Sequence, residues 1–268
     1  MRRERAAQIQ RAHQHKERRR IILGVVVVVL ILLGIGLGVF KSLHQTKLSA
    51  DTRQILPAAV SGQTTVQTKA DTVANPTDIK GVIAYDTAGY PGPGTPSAGT
   101  LAHDHVTGPV TYAVTPPVGG PHNPIWMNAG VYTKPVPSER AVHNLEHGAV
   151  WITYRPDLPA SQVRNLVDFF NQQTMIPEAS DSGRSNRFVD LSPWVDNGLP
   201  SPIVISSWGY QLQVNSPTDP RLQQFVDAFR HNSKYSPEYG SPVDGVPVLT
   251  GGQPAINGSS KPNPAGSI

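Results

Sequence analysis

The chain has 268 residues, a formal net charge of +4 and no cysteine. Disulfides, thiolate metal sites and a cysteine nucleophile are thereby excluded, and metal ligation falls to histidine, carboxylate, methionine or backbone. The charge is uneven: residues 1–20 hold eight Arg or Lys and two acids, leaving 15 basic and 17 acidic groups elsewhere, so no nucleic-acid-binding surface is expected on the folded part.

Residues 1–20 read as a basic cytoplasmic tail, in which His13 and His15 are bystanders. Residues 21–40, IILGVVVVVLILLGIGLGVF, are uncharged and almost wholly apolar. At ~1.5 Å rise per residue they match a hydrocarbon core of ~30 Å and predict a transmembrane helix in the lipid bilayer. Lys41 follows directly and no A-x-A cleavage pattern is present, so the span reads as an uncleaved signal anchor. The positive-inside rule keeps the tail in the cytoplasm and sends the rest across the membrane as an extracytoplasmic domain. Gly34 and Gly38 form a G-x-x-x-G spacing through which two anchors can pair as a homodimer.

Residues 41–80, rich in Thr, Gln, Ala, Ser and Asp, read as a flexible stalk. Residues 81–239 form the expected domain, large enough for one core, and 240–268, rich in Gly, Pro, Ser and Asn, a disordered tail. Within the domain, strands are expected at 82–85 and 109–114, with a Gly/Pro-rich loop between them. The loop PPVGGPHNP at 116–124 surrounds His122. A short helix over 139–147 follows, with Ser138 as N-cap, Glu139 in the first turn and Gly148 just past the end. A strand over 149–154 comes next, then a helix over 160–173 with Val163, Leu166, Val167 and Phe170 on one face. A short strand is expected over 187–191 and a longer one over 203–214, broken near Gly209. The last helix starts with Asp219 as N-cap and Pro220 at the first helical position, and aligns Leu222, Phe225, Val226 and Phe229. The pattern is that of an α/β (α+β) domain with a mixed β-sheet and flanking helices.

Five of the seven histidines outside the basic tail, His103, His105, His122, His143 and His147, fall between residues 103 and 147. His143 and His147 are spaced i, i+4 on the short helix, so both imidazoles leave one face. His103 and His105 share a face if their segment is extended, with Asp104 on the other. Converging imidazoles suit zinc or copper, with His122, His143 and His147 as core ligands and the H-x-H pair as additional or alternative ones. Glu146 is expected to orient an imidazole from behind, and Met127 or Met175 to add a thioether if the ion is Cu(I). The order His143-x-x-Glu146-His147 also matches the H-x-x-E-H motif of zinc hydrolases, with Glu146 activating water. Against that, the helix gives way to a strand at Gly148 and no downstream helix supplies a further acid. No G-x-S-x-G elbow supports a serine hydrolase. In a third reading the histidines only brace an interaction module of the cell envelope, its protein partner unidentified.

The segment His103-Asp104-His105-Val106, the loop from Pro116 to His122, Gly130-Val131-Tyr132, Val142-His143-Asn144-Leu145-Glu146-His147-Gly148, Trp208-Gly209 and Pro237-Glu238 resemble an uncharacterised bacterial family known as a domain of unknown function, DUF3105. That resemblance covers about 103–238. It implies a membrane-anchored protein of an actinobacterial type and groups the histidines, but it assigns no reaction. The sequence as a whole favours a metal-binding domain over an enzyme.

Overall fold

A computed structural model describes residues 22–26, 29, 53–54, 66–87, 101–178, 185–246, 248–250 and 253–255. The chain divides into two units, residues 1–46 and 47–268. In the first, residues 22–26 are helical, and Ile22, Leu23, Val25 and Val26 expose large apolar side chains. Among the described residues no helix is long and apolar enough to cross a membrane. Most of the expected span, with Gly34 and Gly38, lies outside them, as does the basic tail.

In the second unit a six-stranded mixed sheet carries the fold. Its strands are β1 (Thr72–Val73), β2 (Ile83–Tyr85), β3 (Val150–Tyr154), β4 (Val189–Pro193), β5 (Ile203–Ser207) and β6 (Tyr210–Val214). The spatial order is β1-β2-β6-β5-β3-β4. Every neighbouring pair is antiparallel except β3 with β4, which run parallel. Three helices join it: α1 (Ser138–Glu146), α2 (Ala160–Gln172) and α3 (Arg221–Phe229).

The two faces of the sheet differ in chemistry. Val150, Ile152, Val189, Leu191, Ile203, Ile205, Leu212 and Val214 form one buried apolar cluster with Leu166 and Phe170 of α2 and with Leu222, Phe225, Val226 and Phe229 of α3. Fully burying such a side chain stabilises by about 1.5–3 kcal/mol, so this face supplies most of the driving force for folding. The helical faces expected from sequence periodicity are the faces that pack here. Because side chains alternate along a strand, the intervening residues point the other way. Register places Gln211, Ser206, Trp151 and Asp190 in one row across β6, β5, β3 and β4, all buried. On this polar face sits α1, whose Ala141, Val142 and Leu145 pack with Met127, Trp151 and Trp208.

Polar groups buried under α1 are held by specific partners. Asn144 Nδ2 donates to Asp190 Oδ2 at 2.9 Å, and Asn144 Oδ1 accepts from the Met127 amide at 3.1 Å. Asp190 Oδ1 accepts from the Gly130 amide at 3.3 Å. Burial pushes the Asp190 carboxyl up to about 7. Trp151 Nε1 donates to Ser192 Oγ at 3.0 Å.

Several expectations need correction at their boundaries. Ser138 is the first helical residue of α1, not its cap. Pro137, with φ −61° and ψ 123°, occupies the capping position without a side-chain bond, and its carbonyl takes the Arg140 and Ala141 amides at 3.1 Å. The ring of Pro137 fixes the extended residue that starts the turn. Likewise Pro220, expected at the first helical position, occupies the capping position of α3, and Asp219, one residue earlier, accepts from the Arg221 amide at 2.9 Å. The strand expected over 203–214 is the hairpin of β5 and β6, turned at Trp208 and Gly209, where φ is +76°.

The ordered domain is longer than 81–239 at both ends. Val66–Gln67 pairs in parallel with Val110–Thr111, and β1 pairs with β2, so residues 66–80 are not stalk. These two-residue strands are too short to show a period in the sequence. Past Tyr239 the chain continues through the interior: Val243 and Val246 are buried. Trp126 Nε1 donates to the Asp244 carbonyl at 2.9 Å, and Asn128 exchanges two 2.8 Å bonds with Val246. The Gly/Pro composition there reflects turns held by tertiary bonds. Residues 248–250 pair with 253–255 and with 53–54 in a separate three-stranded sheet.

Two stability tests follow from these contacts. At Gly148 φ is +102°, and an added Cβ would meet Ser236 Oγ at 2.8 Å and His231 Cα at 3.2 Å. Gly148→Ala is expected to lower stability by at least about 2 kcal/mol in urea denaturation. A chain ended after Tyr239 loses the acceptors of Trp126 and Asn128, each orphaned group costing about 1–3 kcal/mol. Its urea midpoint should fall well below that of a chain ended after Ala255.

Candidate metal centre

Nine residues make up α1, and seven of them, Arg140 to Glu146, are buried although the sequence is mostly polar. A helix this short and polar has no independent stability; it is ordered by what its side chains reach. Glu139 Oε1 accepts from the Val110 amide at 3.0 Å, and the Glu139 carbonyl accepts from the Asn123 amide at 3.1 Å. These bonds sew the helix to the proline loop. On the far side of that loop the 103–106 segment runs extended, with Val106 N donating to the His122 carbonyl at 2.7 Å and His122 N to the Asp104 carbonyl at 3.0 Å. His103 and His105 therefore turn to the same side, toward Glu146, while Asp104 is exposed.

Three histidines are fixed in the same way. His122 Nδ1 lies 2.8 Å from the Gly120 carbonyl, His143 Nδ1 2.6 Å from the Asn123 carbonyl, and His147 Nδ1 2.6 Å from the Pro242 carbonyl. A carbonyl only accepts, so Nδ1 carries a proton in each ring and Nε2 is the nitrogen left to face the cluster. Backbone bonds of this kind are what orient metal-ligating histidines elsewhere.

The cluster closes around a buried carboxylate. Glu146 has no exposure. Its Oε1 lies 2.8 Å from His103 Nδ1, and its Oε2 lies 2.8 Å from His122 Nε2 and 4.0 Å from His105 Nε2. His122 Nε2 and both Glu146 oxygens lack a well-aligned hydrogen bond. A nitrogen lone pair facing a carboxylate oxygen at that distance repels unless a proton or a cation lies between them. The His105 and His143 rings stack at 5.0 Å, and His143 meets His147 edge-on at 4.4 Å. Trp126 walls the cluster beside His143 and His147, and Trp208 beside His103 and His122.

Electrostatics follow from this crowding. Burial alone would raise the Glu146 carboxyl, but the imidazoles of His103 and His122 hold it well below the usual carboxylate range. Burial, then the neighbouring His147 and His122, pushes the His143 imidazole well below its ordinary value. Burial and His122 lower His105 as well.

Of the five histidines singled out from the sequence, His105, His122, His143 and His147 offer donors to the groups described next, while His103 touches Glu146 Oε1 and belongs to neither group. Two overlapping groups offer donor atoms within 4.8 Å of one another: His105, His122, His143 and Glu146, and His143, Glu146, His147 and Glu238. Glu146, expected behind the ligands, stands among them. Met127 packs in the apolar cluster under α1, and Met175 is half exposed. Glu238 was not singled out as a donor. It follows the last helix with no spacing relation to the 143–147 pattern. What delivers it is a backbone bond, Glu238 N to the Glu146 carbonyl at 3.1 Å, which leaves its Oε2 3.3 Å from His147 Nε2.

The chain belongs to the family described as “Protein of unknown function (DUF3105)”, which matches residues 103–245. That span starts at the first clustered histidine and ends beyond Pro242. No curated protein and no solved structure matches the chain.

A neutral, buried His143 gives the metal-free protein an acid-labile contribution to stability. Its folded pKa is depressed, so below about 6.5 the unfolded state takes up a proton that the folded state does not. The stability advantage over His143→Gln is present above that pH and is lost as pH falls. Between pH 7.5 and 5.5, in chelator, the advantage should shrink by about 1 kcal/mol by urea denaturation. Asp190, raised by burial, acts with opposite sign but equally in both proteins, and cancels in the difference.

Proposed function

We propose that this member of the family is a membrane-anchored extracytoplasmic domain that binds a divalent cation, zinc or copper, through clustered histidines. One observation carries the reading. Three imidazoles are fixed through Nδ1 to backbone carbonyls, with His122 Nε2 2.8 Å from the buried Glu146, His147 Nε2 3.3 Å from Glu238, and His143 grouped with both carboxylates. With neither a proton nor a cation between them, a buried carboxylate oxygen set 2.8 Å from an imidazole nitrogen costs several kcal/mol. The ion is assigned to His105, His122, His143 and Glu146. Three nitrogens and one oxygen suit Zn(II) or Cu(II), whereas Ca(II) and Mg(II) take oxygen. Binding is favoured over hydrolysis because both Glu146 oxygens already face imidazoles at 2.8 Å, which leaves neither committed to activating water. The anchor rests on the apolar stretch 21–40 and the basic residues before it.

The test is elemental analysis by mass spectrometry on the full chain, purified in detergent without a His-tag, beside His143→Ala/His147→Ala. Stoichiometric zinc or copper in the parent and its loss in the double variant are expected. No metal in either, even after reconstitution with Zn(II) and Cu(II), would overturn the reading and leave the histidines as braces of an interaction module.

A further inference from the structure

We propose that the cluster is a two-ion centre, with Glu146 bridging the cation already assigned and a second one held by His147 and Glu238; this rests on the metal-binding reading above. The geometry for one ion leaves donors over. Zinc takes four ligands at ~2.0–2.2 Å, which sets neighbouring donors about 3.3 Å apart. The donor atoms here fall into two overlapping groups, each within 4.8 Å, that share only His143 and Glu146. His143 has a single nitrogen to give, because Nδ1 is bonded to the Asn123 carbonyl. It therefore serves one ion, and Glu146 is the residue with an oxygen for each: Oε2, beside His122 and His105, for the first, and Oε1, which His103 Nδ1 also approaches at 2.8 Å, for the second. With His143 on the first ion, the second keeps His147 Nε2, Glu238 Oε2 and a Glu146 oxygen, three protein ligands and an open position.

Two further features favour a second cation over a leftover pair. His147 is fixed like His122, with Nδ1 on a carbonyl and Nε2 facing a carboxylate, here Glu238 Oε2 at 3.3 Å. An imidazole Nε2 thus faces a carboxylate oxygen at two places, His122 at Glu146 and His147 at Glu238. Each side also has its own opening to solvent: the His105 side chain is 33% exposed and that of Glu238 is 32% exposed, whereas that of Glu146 is 0% exposed. A bridging carboxylate would set the ions ~3.5–4 Å apart, the spacing of two-metal sites.

The experiment uses the full chain in detergent, stripped with chelator, in a background of His13→Ala, His15→Ala and His44→Ala so that histidines outside the matched region add nothing. Titration with Cu(II), followed by desalting and elemental analysis, is expected to give two ions per chain, and one in Glu238→Gln. Melting curves check that Glu238→Gln, a change at a partly exposed side chain, is folded. Paramagnetic resonance supplies a second readout: two carboxylate-bridged Cu(II) ions couple, so the signal of the loaded parent should fall below that of two isolated ions, and Glu238→Gln should restore an uncoupled signal. One ion per chain in the parent, or two retained in Glu238→Gln, overturns the second position while leaving the first intact. No ion at all overturns both.

Discussion

A carboxylate sealed from water sets the terms for the polar half of this molecule. Glu146 has no exposure, and an ionised group so placed is tolerated only where opposite charge or aligned donors surround it. Imidazoles are well suited to that surrounding, since they can carry a proton or share a cation. Supplying them requires the 103–106 strand, the proline loop, α1 and the segment after α3 to meet at one point. That requirement accounts for the backbone bonds from Val106, His122, Asn123 and Glu238 that tie these segments together.

The sheet separates two tasks. Its apolar face is closed by α2 and α3. Its polar face, with Asp190, Ser206 and Gln211 in one buried row beside Trp151, gives α1 a hydrogen-bonded seat. Asn144 is the fixed point, reaching Asp190 on one side and Met127 on the other. Rotation of α1 would break both bonds and move His143, Glu146 and His147 together. The site is thus a rigid group of side chains on a rigid support, the arrangement that holds ligands to sub-ångström tolerance.

Much of this was legible in the sequence where the signal was periodic. Leu166 and Phe170, and the four apolar residues of α3, announce their faces through 3.6-residue spacing, and β3 and the hairpin through apolar runs with Gly209 between. The i, i+4 pair His143 and His147 was legible for the same reason. Glu238 was not, because its approach depends on a backbone bond to Glu146 that no spacing encodes. Nor was the path of 240–246: its Gly and Pro residues read as an unstructured tail, yet they make turns fixed by Trp126, Asn128 and His147. Ser138 misled because the residue before it, Pro137, already has the extended dihedrals that start a helix.

The carbonyl of Pro242 that fixes His147 lies 95 residues further along the chain, and the partners of Trp126 and Asn128 lie 118 residues away. Contacts of such separation form late, after shorter loops have closed. Synthesis runs from the amino terminus, so the histidines emerge well before the segment that locks the last of them. The nascent chain therefore holds its donors in an unlatched state until residue 246 has left the ribosome.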